Sequence, residues 1–166
     1  THQNNTNELM VKFAKSNKNI VRLKGGDPII FGRGGEEAEY LKENNVKYEI
    51  VPGITSGIGS ATYAGIPLTH RKYASSVVFV TGHEDVIMMG LSRIDVICKQ
   101  LVKGGLDKQT PVAVIQNGTT PQQKMVIGTV SNIAKLVKIN KIKPPTNIII
   151  GKVVDLSHVI GWRKNA

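Results

Sequence analysis

Apolar residues in the first part of the chain recur first at helical and then at strand spacing. Leu9, Met10, Phe13 and Ala14 fall on one helical face, and the runs NIVRL and KYEIVPG are typical of strands. The pattern predicts, in chain order, a helix over 7–16, a strand over 19–23, a helix over 35–45, a strand over 47–53 and a helix over 55–65. This alternation of strand and helix predicts a parallel α/β sheet.

The pattern starts again after residue 74, where the apolar run SSVVFVTG follows a polar, basic stretch. Strands are predicted over 75–82, 86–90, 110–118, 124–130 and 146–156, and helices over 92–105 and 131–142. We place the boundary near 68–74, so the expected fold class is α/β with two lobes, residues 1–70 and 71–166.

The sequence of 166 residues has no run approaching the ~18 apolar residues that a membrane span needs, so we expect no membrane association. It begins at Thr1 on a polar stretch, without a Met and without the layout of a signal peptide. We therefore expect a fragment of a longer protein.

The single cysteine, Cys98, cannot form an internal disulfide, and no Cys/His group has zinc spacing. This favours a reducing cytoplasm and no metal. Because Cys98 lies on the apolar side of RIDVICKQLV, we expect it in the core.

Charge narrows the possible partners. The chain carries 22 Lys and Arg against 12 Asp and Glu, a formal net charge of +10. Such an excess suits nucleic acid, an anionic surface or a polyanionic small substrate. The lysines are scattered and aromatic residues are few, which argues against nucleic acid. A basic RNA-binding module remains the alternative from a different class.

The stretch RLKGGDPIIFGRGGEE is the most unusual in composition. Its glycines do not have the spacing of a P-loop or of a dinucleotide fingerprint. A glycine turn after a strand lets a ligand approach the backbone, and Asp27 in that turn could accept a hydrogen bond from a ligand. A turn that serves only the fold is the alternative.

Three further loops follow predicted strands. Thr55 and Ser56 come after Pro52-Gly53, His83 stands beside two acidic residues in VTGHED, and QNGTTPQQK is polar. Ligands of open α/β sheets bind at such strand ends, which predicts a cleft between the lobes. No nucleophile–base pair is present, so covalent catalysis is not indicated.

Four segments closely resemble the uroporphyrinogen-III C-methyltransferases of the tetrapyrrole methylase family: VRLKGGDPIIFGRGGEEAEYL, YEIVPGITSGIGSATYAGIPLTHR, SVVFVTGHED and GTTPQQKMVIGTV. The Gly-Gly-Asp-Pro turn is shared across the family, whereas FGRGGEEAE and YAGIPLTHR point to this branch. The resemblance implies the two-lobe tetrapyrrole methylase fold, S-adenosyl-L-methionine (SAM) in the cleft between the lobes, and a homodimer.

The resemblance also implies a reaction, the methylation of uroporphyrinogen III at C2 and C7 to give precorrin-2 for sirohaem or cobalamin synthesis. S-adenosyl-L-homocysteine is then the cofactor product. An octacarboxylate substrate agrees with the basic charge and needs no nucleic-acid partner. A methylase of a later precorrin is the alternative within the enzyme class.

The family pattern also implies site residues. The SAM-binding positions are Gly25, Gly26, Asp27, Ile30, Thr55, Ser56, Met89 and Gly118. For the substrate carboxylates we expect Arg33, Arg71 and Lys72, the arginines by bidentate pairing. A surface or structural ion pair is the alternative role for each of these three.

The sequence departs from the family in two places. The first strand, with its Gly-Pro-Gly-Asp loop, and the segments after it are absent; the Asp and Lys usually proposed for proton transfer lie there. The N-terminal lobe is therefore expected to be incomplete, and no catalytic residue is assigned. In addition, GHED runs almost directly into VIMMG, so we expect residues to be missing between Asp85 and Val86.

Overall fold

The computed structural model describes residues 3–16, 19–80, 91 and 93–162. The chain forms two compact units, Thr1–Thr55 and Ser56–Ala166, called here the first and second units. The lobe boundary predicted between residues 70 and 71 stays a prediction.

Two helices form the first unit, α1 at Gln3–Ala14 and α2 at Gly34–Glu43. They pack against each other, and Met10 and Val11 of α1 are buried. Both helices were predicted, α1 with its start four residues too late, because helical spacing and local hydrogen bonds are encoded in neighbouring residues.

The strands predicted over 19–23 and 47–53 are not present as strands. Both stretches lack the paired backbone hydrogen bonds of a sheet within the described residues. Val21 and Leu23 are each 84% exposed, so they have no apolar layer over them. A β-branched run supplies strand propensity, but a strand exists only where a second strand bonds to it.

The second unit contains the remaining helices and all the described strands. In chain order these are α3 Ser56–Tyr63, α4 Ile94–Lys103, β1 Pro111–Gln116, β2 Lys124–Thr129, α5 Ile133–Ile139, β3 Thr146–Ile150, a 3₁₀ helix Lys152–Leu156 and α6 Ser157–Ile160. The single strand predicted over 146–156 is therefore β3 followed by the 3₁₀ helix. The prediction over 75–82 is wrong for 75–80, which form no strand among the described residues, and the prediction over 86–90 lies outside them.

The described sheet, which lies in the second unit, is antiparallel, whereas the parallel sheet predicted for the first part of the chain is not formed by its described residues. The strand order of the described sheet is β2-β1-β3, and β1 runs antiparallel to both neighbours; Val114 pairs with Val126 on one side and with Ile148 on the other. The short connection 117–123 between β1 and β2 explains the hairpin, because a parallel pair needs a crossover of a dozen or more residues.

Alternation along β1 buries both faces of the sheet. Val112 and Val114 lie in one core cluster with Ile94 and Cys98 of α4 and Ile133 of α5. Ala113 and Ile115 lie in a second cluster on the opposite face, together with Ala61 and Ala64 of α3 and Val154 of the 3₁₀ helix. The prediction that Cys98 is a core residue is confirmed, and burial raises the pKa of its thiol.

Candidate functional site

The Gly-Asp-Pro turn of the first unit folds back on itself. Gly26 has a φ of 83°, which favours glycine. The Gly34 amide donates to the Pro28 carbonyl at 2.8 Å, and a Cβ on Gly34 would collide with that carbonyl. By contrast, no described atom beyond its chain neighbours lies within 4 Å of where a Cβ on Gly25 would be. The turn is therefore tight around Pro28 and open beside Gly25.

The Asp27 carboxylate is bonded to backbone amides. Its Oδ1 accepts from the Ile29 amide at 2.8 Å and from the Ile30 amide at 2.9 Å. Its Oδ2 accepts from the amide of Gly53 at 3.1 Å. The amides of Ile30, Gly53 and Ile29, in that order of effect, hold the pKa of Asp27 below its usual value, so the carboxylate is ionised at neutral pH.

Four predicted cofactor residues, Gly25, Gly26, Asp27 and Ile30, thus lie in a single turn. A fifth, Thr55, is buried two residues beyond Gly53, the residue that Asp27 reaches. Within the first unit the predicted cofactor residues therefore belong to two backbone loops that share a hydrogen bond.

The buried carboxylate of Glu37 in α2 forms hydrogen bonds and ion pairs with residues that precede the turn in the sequence. Its Oε2 accepts from Lys24 Nζ at 2.8 Å, and its Oε1 accepts from Gln3 at 2.8 Å and lies 3.3 Å from Arg22 Nη2. Burial raises the pKa of Glu37, but the hydrogen bonds from Lys24 and Gln3 and the nearby positive charges outweigh burial and lower it. Sequence reasoning missed Glu37, because its partners lie at least thirteen residues away.

Arg33, predicted to bind a substrate carboxylate, pairs with a carboxylate of its own chain. Its guanidinium binds Glu36 through Nε at 3.0 Å and Nη2 at 2.7 Å, and both side chains are exposed. In this structure Arg33 has the ordinary role of a surface ion pair, and it would have to exchange partners to bind a substrate.

In the second unit, Ser56 and Gly118 lie around a small polar cluster on α3. Asn147 of β3 donates to the Ser60 hydroxyl at 2.9 Å and accepts from the Ser56 hydroxyl at 3.4 Å. A Cβ on Gly118 would collide with Ser60, so the loop after β1 lies directly against this helix. The sequence carried part of this signal, since Ser56 and Ser60 are one helical turn apart, but it did not indicate Asn147.

The loop after β1 is held by Gln123, whose side chain is buried. Its Oε1 accepts from the Thr119 amide at 2.9 Å, and its Nε2 donates to the Tyr63 carbonyl at the end of α3, at 3.3 Å. Asn117 and Thr119 in this loop have φ values of 50° and 71°, a conformation uncommon for residues other than glycine. Gln123 therefore supports a strained loop beside Gly118.

Arg71 and Lys72, also predicted to bind substrate, are exposed residues of a short turn. The turn is closed by an isolated bridge between His70 and Ala74, and the His70 ring stacks obliquely on Tyr73 at 4.9 Å. The Lys72 amide donates to His70 Nδ1 at 3.2 Å. The backbone of the turn is thus ordered while both cationic side chains face solvent.

An apolar cavity of about 530 Å³ also belongs to the second unit, lined in part by Ile58, Val77, Phe79 and Trp162. Neither Arg71 nor Lys72 is among the described residues around it. Two predicted features, Met89 and the GHED cluster from His83 to Asp85, lie outside the described residues.

The described residues contain neither a metal-binding group nor a membrane-spanning helix. No group of three or more His, Cys, Asp or Glu side chains there could hold a metal ion. No helix there combines the length and the apolar character needed to cross a membrane.

The chain matches one family model and several curated proteins. A family model described as Tetrapyrrole (Corrin/Porphyrin) Methylases matches residues 1–134. A siroheme synthase of Nitrosomonas europaea is 46% identical over 178 residues, covering 96% of this chain and 38% of the relative. A siroheme synthase of Pseudomonas fluorescens is 45% identical over 182 residues, covering 99% and 39%. The chain thus spans about two fifths of these curated relatives. Both aligned lengths exceed 166 residues, so the relatives carry residues with no counterpart here.

Solved structures agree on the fold. A uroporphyrin-III-C-methyltransferase from Thermus thermophilus has a TM-score of 0.85 and 30% identity, covering 95% of this chain and 75% of that one. A structure of that enzyme complexed with S-adenyl homocysteine has a TM-score of 0.75 and 32% identity, with 93% and 75% coverage. A cobalt precorrin-4 methyltransferase has a TM-score of 0.82 and 25% identity, with 93% and 73% coverage. The predicted tetrapyrrole methylase fold is confirmed.

Proposed function

This chain belongs to the tetrapyrrole (corrin/porphyrin) methylase family, and from that membership we propose that it binds SAM and methylates a tetrapyrrole. The specific reaction we propose is the methylation of uroporphyrinogen III at C2 and C7 to precorrin-2. The curated relatives are siroheme synthases, and a structural neighbour is a uroporphyrin-III-C-methyltransferase. We therefore place the product in sirohaem or cobalamin synthesis.

The main support for the proposal is the exposed glycine turn of the first unit, formed by Gly25, Gly26 and Asp27. Gly25 is exposed and has open space on its Cβ side, and the neighbouring backbone is held in place by Asp27. A cofactor with polar amino, carboxylate and ribose groups suits a surface of backbone donors and acceptors.

The residues proposed to hold SAM are those of the two loops of the first unit, together with Ser56 and Gly118 of the second. Support for Ser56 and Gly118 comes from their shared neighbour Ser60, which Gly118 contacts and which lies one helical turn from Ser56. Met89 remains part of the proposal on the family pattern alone.

When bound, SAM supplies a methyl group already activated by the positive sulfur. The chain's residues then need to hold the pyrrole carbon in line with that group rather than to provide a nucleophile. A base has only to remove a proton after transfer; none is assigned in this chain. Arg71 and Lys72, whose side chains face solvent on an ordered turn, are the residues proposed to attract substrate carboxylates.

The test uses the full-length protein. Calorimetric titration with S-adenosylhomocysteine should show one saturable site. Incubation with SAM and uroporphyrinogen III should give a product heavier by two CH₂ units in mass spectrometry, because each methyl group gained is accompanied by the loss of one proton. Absence of cofactor binding, or binding without any methylation of uroporphyrinogen III, would contradict the proposal.

A methylase of a later precorrin is the second candidate, supported by the similarity to the cobalt precorrin-4 methyltransferase. The same assay with a panel of precorrins separates the two functions. Methyl transfer to a later precorrin, with none to uroporphyrinogen III, would replace the first proposal.

We also propose that the enzyme is a cytoplasmic homodimer, with lobes at residues 1–70 and 71–166. The family pattern supports the dimer and the lobes, and a reduced, buried Cys98 suits the cytoplasm. Light scattering coupled to size exclusion tests the dimer, and a mass of one chain would contradict it.

A further inference from the structure

We infer that Asp27 is a positioning residue, which holds two backbone loops together so that they can receive the cofactor, and that it does not itself bind the cofactor. The inference rests on the proposed function. It differs from the family-based expectation, in which the Asp27 side chain binds polar groups of SAM.

One carboxylate oxygen shapes the first loop. Oδ1 accepts from the Ile29 and Ile30 amides at 2.8 and 2.9 Å, so it closes the turn immediately after the exposed Gly25 and Gly26. Two amide donors occupy this oxygen, and a ligand hydroxyl or ammonium group would compete with both.

The other oxygen reaches the second loop. Oδ2 accepts from the Gly53 amide at 3.1 Å, across 26 residues of sequence. The two backbones also touch there, because a Cβ on Gly53 would collide with the carbonyl oxygen of Gly26. The loop that leads to Thr55 is therefore set against the glycine turn by one hydrogen bond and one backbone contact.

This arrangement assigns different roles to neighbouring residues. The carboxylate is bonded to main-chain donors on both of its oxygens, whereas Gly25 presents open space beside the same turn. Ligand contact is thus expected from the backbone around Gly25 and from the loop containing Thr55. Asp27 determines the distance between these two surfaces.

Asp27→Asn separates the two functions of the carboxylate. The amide oxygen can still accept from Ile29 and Ile30, but the NH₂ group that replaces Oδ2 cannot accept from Gly53. Asp27→Ala removes both sets of bonds. Asp107→Asn is the matched control, because within the part of the chain that the structure describes the Asp107 side chain bonds only to the nearby Gln109 amide, in the second unit.

The main readout is amide hydrogen exchange in the full-length, ligand-free protein. The Gly53 amide should be protected in the wild type and should exchange about tenfold faster in Asp27→Asn, with Ile29 and Ile30 unchanged. The Kd for S-adenosylhomocysteine should rise about tenfold in Asp27→Asn and further in Asp27→Ala. Both Asp27 substitutions should raise the KM for SAM by a larger factor than they lower kcat. Asp107→Asn should have the Kd, KM and kcat of the wild type.

The outcomes are distinguishable. If Asp27→Asn weakens binding while Gly53 exchange stays unchanged, Asp27 contacts the cofactor directly and the inference is overturned. Unchanged binding in Asp27→Asn overturns it as well. If neither variant folds, a Gly53 amide that exchanges freely in the wild type is sufficient to reject it. A wild type that binds no S-adenosylhomocysteine instead rejects the proposed function.

Discussion

Gly25 and Gly35 allow ligand binding to be separated from folding at the level of single residues. Apart from their chain neighbours and, for Gly35, the backbone of its own helix, no described atom lies within 4 Å of the position of an added Cβ. Gly25→Ala should leave the free energy of unfolding within about 0.5 kcal/mol of the wild type and raise the Kd for S-adenosylhomocysteine about tenfold, because the methyl group enters the proposed site. Gly35→Ala, in the first turn of α2, should stabilise the protein by about 0.5 kcal/mol without changing that Kd. Urea unfolding and calorimetry measure both; equal Kd values in the two variants would contradict a cofactor beside Gly25.

Glu37 is the residue on which we expect the stability of the first unit to depend most. Glu37→Gln should lower the free energy of unfolding by about 2 kcal/mol, because Lys24 and Arg22 lose a buried counter-charge. Glu36→Gln is the control, since its exposed pair with Arg33 contributes at most about 1 kcal/mol. Urea unfolding at neutral pH measures the free energy of unfolding of the two variants. Equal decreases in the two variants would show that the Glu37 network stabilises the protein no more than the exposed Arg33–Glu36 pair does.

The lowered pKa of Glu37 also predicts how this difference changes with pH. A carboxyl group whose pKa is lower in the folded state stabilises the protein above its unfolded pKa, which is about 4.3. That contribution is lost as the pH falls through the lower, folded value. The gap in unfolding free energy between wild type and Glu37→Gln should therefore narrow on acidification. A gap that widened in acid would contradict the network.

At the level of elements, helices were predictable from the sequence and strand pairing was not. Helices α2, α3 and α4 each begin and end within two residues of the prediction, since the spacing that reveals them lies within the helix itself. The stretches over 19–23 and 47–53 have strand propensity but no described partner, whereas β1 and β2, also predicted as strands, pair as an antiparallel hairpin that their propensity did not indicate. Pairing depends on distant residues that propensity does not encode.

The candidate site also combines a local feature that the sequence predicts with contacts between distant residues that it does not. The glycine turn was recognisable, because its glycines, Asp27 and Pro28 are consecutive. The contacts that hold the site were not: Asp27 with Gly53, and Asn147 with Ser60, join residues 26 and 87 positions apart. No local pattern encodes such pairs.

The connection between α3 and the loop after β1 gives a prediction at this scale. Gln123→Ala should lower the free energy of unfolding by about 1–2 kcal/mol, because the Thr119 amide and the Tyr63 carbonyl each lose a bond to its buried side chain. Gln122→Ala is the neighbouring control and changes an exposed side chain, so its effect should stay within about 0.5 kcal/mol. Thermal or urea unfolding of both variants is the measurement; a larger loss in Gln122→Ala would refute the assignment.

Across the whole molecule, the positive charge is unevenly divided between the two units. Residues 1–55 contain eight Lys and Arg against seven Asp and Glu, whereas residues 56–166 contain fourteen against five. The three ion pairs found among the described residues all lie in the first unit. The excess of +9 in the second unit therefore has few carboxylates of this chain to offset it, and it can act on an anionic substrate.

This asymmetry predicts that salt will affect substrate and cofactor differently. The proposed substrate carries eight carboxylates, whereas SAM carries charges of both signs, so screening should weaken attraction of the substrate far more. Raising the salt from about 0.05 M to about 0.5 M should raise the KM for uroporphyrinogen III by about tenfold and change the Kd for S-adenosylhomocysteine by less than about twofold. Replacing Arg71 and Lys72 by Gln should reduce this salt dependence, whereas the same change at Lys135 and Lys138 of α5 should leave most of it. Equal effects of the two double variants would mean that the substrate responds to the net charge of the second unit, and Arg71 and Lys72 would lose their assignment as substrate-binding residues.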